Sequence, residues 1–163
     1  MTSALHGFDR PNSVIGRPVT RPDAERLVKG QGSYVDDIQL PRMLHAAFVR
    51  SPHAHARIIN IALDDALEVP GVVAAYDGKS LMQHVTPYQG VLTHLTGLRS
   101  PDQWPLALDV ARWQGEPVVM ILANSRAIAE DAVEQVSIEY ETLDMVCDAE
   151  TALDPDTLSL IHI

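Results

Sequence analysis

The segment Gly115–Leu143 constrains the fold most, because its pattern predicts a strand, a helix and a second strand in direct succession. Its first part, Val118–Ala123, is a short apolar run typical of a buried strand. Pro117 can only begin this strand, because proline has no N–H to donate to a neighbouring strand. Asn124 or Ser125 then offers a side-chain oxygen to the first free amides of a helix.

The helix after this cap is predicted from apolar residues that recur at spacings of three and four. These residues are Ile128, Ala129, Ala132, Val133 and Val136, and the face toward water carries Glu130, Asp131 and Glu134. The segment Ser137–Tyr140 alternates between apolar and polar residues, and it is predicted to return as a strand.

A shorter unit of the same kind precedes this one. Ala56–Ile61 is predicted as a strand with apolar residues on both faces, and strict alternation places Ile58 and Ile61 on opposite faces. A short helix over Leu63–Val69 and a strand over Val72–Tyr76 follow, separated by a Pro-Gly stop. The remaining predicted elements are a helix over Pro22–Lys29, a strand over Met43–Val49, a helical turn over Lys79–Gln83 and an irregular stretch over Thr86–Trp104. The two units predict an α+β fold with a mixed, curved β-sheet and two or three short helices in β-α-β units.

The charge and the cysteine content exclude several classes of protein. The 163 residues carry a formal net charge of −10, which argues against nucleic acid or an anionic membrane surface as a partner. No apolar run approaches the ~20 residues of a membrane span, and the N-terminal residues lack the basic start and apolar core of a signal peptide. We therefore expect a cytoplasmic protein. Cys147 is the single cysteine, and it cannot form an internal disulfide or hold an iron–sulfur cluster, which usually takes four thiolates.

Two histidines, His53 and His55, resemble a metal-binding pair. A spacing of two on a strand would point both side chains to the same face, and His45 could join them from a neighbouring strand. A zinc site needs three or four ligands, however, and no further ligand follows at a recognisable spacing. These histidines are therefore predicted to be structural or interface residues, and no metal site is assigned.

Two carboxylate pairs could divide acid and base roles if their environments separated their pKa values. Asp36 and Asp37 follow a glycine turn, where aspartate commonly closes the turn through the backbone. Glu139 and Glu141 alternate with apolar residues, as on the wet face of a strand. Both pairs are predicted to be solvated surface.

Ser51 and two tryptophans complete the set of candidates. No strand-to-helix nucleophile elbow surrounds Ser51, which argues against a serine hydrolase. Trp104 and Trp113 favour core or interface anchors over a platform for stacking. The sequence therefore assigns no catalytic, cofactor-binding or metal-binding residue.

Four parts of the sequence carry a resemblance to a known family. They are Ile15–Pro18 with Lys29–Asp37, Leu44–Ile61 with VRSPHAHARI at its centre, ALEVPGVVAAYDGKSL, and PLALDVARWQGEPVVMILANSRAIAEDAVEQVSIEYETL. With these parts in order over about residues 16–153, the chain resembles the N-terminal α/β hammerhead domain of molybdenum hydroxylase large subunits. That family includes xanthine dehydrogenase, aldehyde oxidase and carbon monoxide dehydrogenase.

The resemblance implies an oxidoreductase in which later domains of a much longer chain bind a molybdenum–pterin cofactor and hold the catalytic glutamate. It also implies iron–sulfur and flavin subunits or domains that carry electrons away. This sequence has no counterpart of the later domains, so we expect a structural and assembly fragment without cofactor or activity of its own. The alternative is a free-standing binding or assembly module with the same fold and no redox role.

The predicted organisation has three parts. Residues 1–15 form an extended lead-in, residues 16–154 the hammerhead domain, and residues 155–163 a truncated or non-native tail. The tail ends in LSLIHI, an uncharged apolar window of the kind that pairs between molecules. We therefore expect concentration-dependent self-association that decreases when the residues after Asp156 are removed.

Overall fold

The computed structural model of the chain describes residue 14 and residues 18–90, 94–97 and 100–153. The chain divides into two compact units, Met1–Pro41 and Arg42–Ile163. Among the described residues, none of the helices has the length and hydropathy that a membrane span requires. The LSLIHI tail of the self-association prediction lies outside the described residues.

The first unit contains a five-residue helix, α1, over Ala24–Val28. Gly30 follows its end with a φ of +71°, a left-handed conformation that glycine adopts without strain. A turn of 3-10 helix covers Val35–Asp37, where the Asp37 carboxylate accepts the Tyr34 N–H at 2.9 Å. The predicted first helix is confirmed, and so is the aspartate that closes a turn.

The second unit contains the β-structure. Its strands are β1 (His45–Arg50), β2 (Ala56–Ala62), β3 (Val72–Asp77), β4 (Val110–Ala111), β5 (Pro117–Ala123) and β6 (Ser137–Thr142). Its helices are α2 (Asp64–Glu68), α3 (Gly78–Leu81) and α4 (Arg126–Val133), and a 3-10 turn covers Thr151–Leu153.

The strands form two antiparallel sheets, one with the order β1-β5-β3 and the other with the order β4-β2-β6. The predicted α+β class with short helices is confirmed, but the strands lie in two antiparallel sheets instead of one mixed sheet. In both strand–helix–strand units the helix connects the sheets: α4 joins β5 to β6, and α2 joins β2 to β3. Hydrophobic periodicity identifies strands but does not say which strands pair, so the sequence pattern could not separate the two arrangements.

The core lies around β5, which pairs with β1 on one edge and with β3 on the other. Its residues Val118, Val119 and Ile121 are fully buried. Ala66 of α2 and Ala132 of α4 belong to the same buried cluster, and such small residues let the helices approach the sheet closely.

Helix α4 begins as predicted. The Ser125 hydroxyl accepts the Ile128 N–H at 3.3 Å and caps the first turn. Ala129 and Ala132 are its buried residues. The helix ends at Val133, so Val136 packs against the core from beyond the helix.

A register shift interrupts β2 between Ile58 and Asn60. Ile58 and Ile61 both pack against the core, whereas Ile59 is half exposed. The predicted placement of Ile58 and Ile61 on opposite faces is wrong, because an extra residue in a bulge inverts the alternation that follows it.

Candidate binding groove

A groove of about 290 Å³ lies in the second unit, between the segment 101–108 and the turn at 112–116. Leu106, Ala107 and Glu116 are the buried part of its lining, and Trp104 is half-buried. Trp113 is 55 % exposed. The other lining residues are Pro101, Asp102, Gln103, Leu108 and Arg112. The groove therefore combines aromatic and apolar surface with one buried carboxylate.

The turn Trp113–Glu116 is held by hydrogen bonds from several directions. The Glu116 N–H donates to the Trp113 carbonyl at 3.2 Å, and Gly115 has a φ of +91°, which suits glycine at this turn position. The Ser51 N–H donates to the Glu116 carbonyl at 2.9 Å, and the Ser51 carbonyl accepts the Gly115 N–H at 2.8 Å. The Arg50 guanidinium donates to the Gly115 carbonyl at 2.8 Å. The end of β1 thus fixes the backbone that carries Trp113.

The buried side chain of Glu116 contacts the same turn. Glu116 is 5 % exposed, and its carboxylate accepts the Arg112 N–H at 2.5 Å. Burial raises the pKa of the Glu116 carboxyl, while the Arg112 N–H, the Arg112 charge and the Trp113 N–H lower it by smaller amounts. The Glu116 side chain holds the loop that presents Arg112 and Trp113 through its hydrogen bond with the Arg112 N–H.

The opposite side of the groove rests on close packing between Ala107 and Gly78. A Cβ at position 78 would lie 2.2 Å from the Ala107 carbonyl oxygen, so a larger residue does not fit there without movement. The Ala107 N–H donates to the carbonyl of Pro117 in β5 at 2.8 Å. The segment is therefore fastened between β5 and the start of α3.

The polar groups of the segment 101–103 have partners close by. The Tyr88 N–H donates to the Gln103 carbonyl at 2.8 Å, and the Gln103 N–H donates to the Tyr88 carbonyl at 2.9 Å. The Gln89 amide donates to the Asp102 carboxylate. This bridge gives local order to a stretch that the sequence predicts to be irregular.

A buried polar cluster adjoins the turn. The Ser51 hydroxyl accepts the His53 N–H and donates to the His53 carbonyl, each at 3.1 Å. The ring of His53 meets the ring of Tyr140 edge-on, with 5.0 Å between centroids. Burial raises the pKa of Tyr140, and the nearby Ser51 hydroxyl lowers it. The Tyr140 hydroxyl is buried and has no hydrogen-bond partner among the described residues.

The histidines do not form a metal site with the residues that the structure describes. His53 and His55 lie in the bend 52–55 and not on a strand, so the alternation of a strand does not apply to them. His55 Nδ1 donates to the Asp144 carbonyl at 2.6 Å, and His45 lies at the far end of β1, paired with Ala123. In the ranges 18–90, 94–97 and 100–153, no three His, Cys, Asp or Glu residues come together as a metal site.

The predicted exposure of Glu139 and Glu141 on β6 is confirmed. Glu141 pairs with Arg57 on the neighbouring strand at 2.6 Å, an exposed contact of small energetic weight. That these carboxylates and Ser51 are not catalytic stays a prediction. Ser51 itself is 2 % exposed, and its hydroxyl is engaged by the His53 backbone.

Sequence reasoning missed Glu116 and Gly78. Both adjoin other elements: Glu116 directly precedes β5, and Gly78 begins α3. Gly78 owes its role to Ala107, which is distant in sequence. Glu116 accepts the N–H of the nearby Arg112, but its burial depends on the fold around the turn. An acidic residue placed directly before a buried strand was the available hint for Glu116.

Known proteins resemble this chain in sequence and in fold. The profile of the family described as "Aldehyde oxidase and xanthine dehydrogenase, a/b hammerhead domain" matches residues 29–144, which include the groove. The chain is 41 % identical to the nicotine 6-hydroxylase large subunit of Paenarthrobacter nicotinovorans, covering 88 % of this chain and 18 % of that protein. It is also 41 % identical to the carbon monoxide dehydrogenase large chain of Hydrogenophaga pseudoflava, covering 86 % and 17 %.

The fold has a counterpart among solved structures. Quinoline 2-oxidoreductase from Pseudomonas putida 86 superposes with a TM-score of 0.79 and 39 % identity, covering 85 % of this chain and 18 % of that one. The chain thus spans less than a fifth of the length of these relatives.

Proposed function

We propose, from the premise that this chain belongs to the aldehyde oxidase and xanthine dehydrogenase a/b hammerhead family, that it is a structural and assembly domain of a molybdopterin-dependent hydroxylase large subunit. Such an enzyme would oxidise a carbon centre or carbon monoxide with oxygen derived from water. Electrons would leave through iron–sulfur and flavin groups in partner subunits or domains.

The observation that carries this proposal is how much of each protein the matches cover: nearly all of this chain, but a small part of the relatives. The matches cover 86–88 % of this chain but 17–18 % of the two relatives, which are large subunits of molybdenum hydroxylases. A match of this shape supports one domain of a larger protein. We propose residues 16–154 as its extent, a range that contains the matched residues 29–144.

We propose that the described residues do not hold the implied cofactors. Within them no cluster of three metal-ligating side chains occurs, and Cys147, the single cysteine, is exposed. We therefore assign the molybdenum–pterin cofactor and the catalytic glutamate to regions that the relatives carry beyond the match. No step of the oxidation is assigned to residues of this chain.

A chimera tests the proposal. In the Hydrogenophaga pseudoflava carbon monoxide dehydrogenase large chain, the aligned region is replaced by this chain, and the chimera is produced with the other subunits of that enzyme. We expect it to retain molybdenum and carbon monoxide oxidation. A matched chimera with Ile121→Asp should lose both, because the charge falls at a fully buried position of β5.

A chimera that folds but lacks both molybdenum and activity would count against the large-subunit role. In that case a stable, monomeric isolated chain would favour the free-standing module, since such a module needs no further domain to cover it.

A further inference from the structure

We propose that the peptide bond between Arg42 and Met43 is the site at which a trypsin-like protease cuts the folded chain, and that the second unit stays folded after the cut. Such a protease has an acidic specificity pocket that pairs with an arginine side chain. Its reaction adds water across the bond: the C–N bond breaks, Arg42 gains a carboxylate and Met43 gains an amino group. The inference does not depend on the proposed function, because it rests on the backbone and the exposure around Arg42.

The backbone of Arg42, the first residue of the second unit, has an unusual conformation for its residue type. Its φ is +62°, and every other described residue with a positive φ is a glycine. In this left-handed region a Cβ atom crowds the backbone, which is why glycine is the usual residue there. A peptide that enters a binding cleft as an added strand is extended. The change of Arg42 to an extended conformation therefore relieves strain, and local opening of this turn is favoured.

The segment around Arg42 is exposed and held by few contacts. Residues 39–42 are all exposed, and Leu40 is 64 % exposed. The backbone hydrogen bonds between described residues include none from residues 39–42. The Arg42 guanidinium has no ion-pair partner in the part of the chain that the structure describes. Exposed segments with so few hydrogen bonds open locally at low cost, and proteolytic cuts concentrate in them.

The other basic residues are protected by their sequence or by their structure. Proline follows Arg10, Arg17 and Arg21, and a bond to proline is a poor substrate because the ring fixes φ and removes the N–H. The remaining basic residues that the structure describes lie in helices, directly after α1, in paired strands or in the braced turn 112–116. They are Arg26, Lys29, Arg50, Arg57, Lys79, Arg112 and Arg126. Local opening at Arg42 therefore breaks fewer contacts than opening at any of these residues.

The second unit contains the contacts that it needs to stay folded without residues 1–42. All six strands begin after Met43. The buried cluster and the apolar residues packed against it lie at Val49 or later in the chain. None of the described residues of the first unit is buried. The cut therefore removes no described residue of the core.

Limited digestion of the isolated chain with trypsin, followed by mass spectrometry, tests the position of the cut. We expect residues 1–42 and 43–163 to be the first products. Arg42→Gln should slow this cut by about 100-fold or more, because the acidic pocket loses its charged partner, whereas Arg42→Lys should retain it. Arg21→Gln is the matched control, since Arg21 is exposed but precedes Pro22, and it should leave the rate of the cut unchanged. A first cut at another bond, Arg99–Ser100 included, or an Arg42→Gln variant that is cut as fast as the wild type, overturns the inference.

Urea unfolding of the purified fragment 43–163, followed by circular dichroism, tests whether the second unit stays folded. A single cooperative transition supports the inference, because cooperative unfolding requires an intact core. A fragment without such a transition, or one that trypsin degrades as fast as it is formed, overturns it.

Discussion

Replacement of Gly78 by alanine should destabilise the protein, although alanine normally favours a helix. The new Cβ would lie 2.2 Å from the Ala107 carbonyl oxygen and 2.9 Å from its carbonyl carbon, both backbone atoms. Ordinary contact begins near 3.4 Å, so the two segments must separate by about 1 Å. Ala107 is 3 % exposed and donates to Pro117, so the movement disturbs the core and a hydrogen bond together.

The magnitude follows from opposing effects. Overpacking costs about 1–3 kcal/mol, and weakening the hydrogen bond to Pro117 costs up to about 1 kcal/mol more. The helix propensity of alanine returns at most about 1 kcal/mol. We expect Gly78→Ala to lower the free energy of unfolding by about 1–3 kcal/mol, which corresponds to about 2–4 °C in Tm for each kcal/mol at this chain length.

Urea unfolding followed by circular dichroism measures this loss. Lys79→Ala is the matched control, since it changes the next residue of α3 and removes an exposed pair with Asp109 at 2.9 Å. Its effect on the free energy of unfolding should be small, because both charges of this pair are exposed and screened by solvent. A Gly78→Ala variant as stable as the wild type would show that residues 106–108 move freely, and the account of the groove as a fastened structure would be wrong.

Three further variants, one of them a double substitution, test other polar groups of the second unit. Tyr140→Phe should leave the free energy of unfolding unchanged or raise it, because it removes a buried hydroxyl without a partner among the described residues. A decrease of more than about 1 kcal/mol in urea unfolding would show that the hydroxyl has a partner. Glu116→Gln should flatten the dependence of stability on pH. The folded pKa of the Glu116 carboxyl lies above its ordinary value of 4.5, so its contribution to stability is lost as pH rises from 4.5 through the folded pKa. Glutamine does not titrate and lacks this dependence. If urea unfolding shows the same change of stability with pH in both proteins, the burial of the charge is contradicted. His53→Gln with His55→Gln should cost about 1–2 kcal/mol and leave metal content unchanged by elemental analysis, whereas loss of a stoichiometric metal would contradict the structural role.

Elements defined by local chemistry could be predicted from the sequence. Pro117 at the start of β5 and Ser125 at the cap of α4 are both confirmed, because a missing N–H and a capping oxygen act within a few residues. The bulge at Ile58–Asn60 could not be predicted, since Ile59 is as apolar as the residues on either side of it. Its exposure is decided by pairing with β6.

Less of the groove could be predicted from the sequence. The sequence predicts Trp104 and Trp113 as core or interface anchors, and both line the groove. That either of them anchors an interface stays a prediction. Glu116 and Gly78 owe their importance to Arg112 and Ala107, which approach them through turns and packing. The separation of the strands into two sheets is of the same kind, because it depends on which edges meet and not on the period of any one strand.

The central position of β5 affects how strands can pair while the protein is being synthesised on the ribosome. Arg50 of β1 pairs with Pro117 of β5, and β2 pairs with β6, so neither sheet is complete until the residues of β5 and β6 have been synthesised. At about 5–20 residues per second, the early strands wait several seconds for their partners. During that time β1 and β3 present unpaired edges, the state in which strands associate with wrong neighbours. We therefore expect the nascent chain to be most prone to wrong strand pairing between the synthesis of β1 and that of β5.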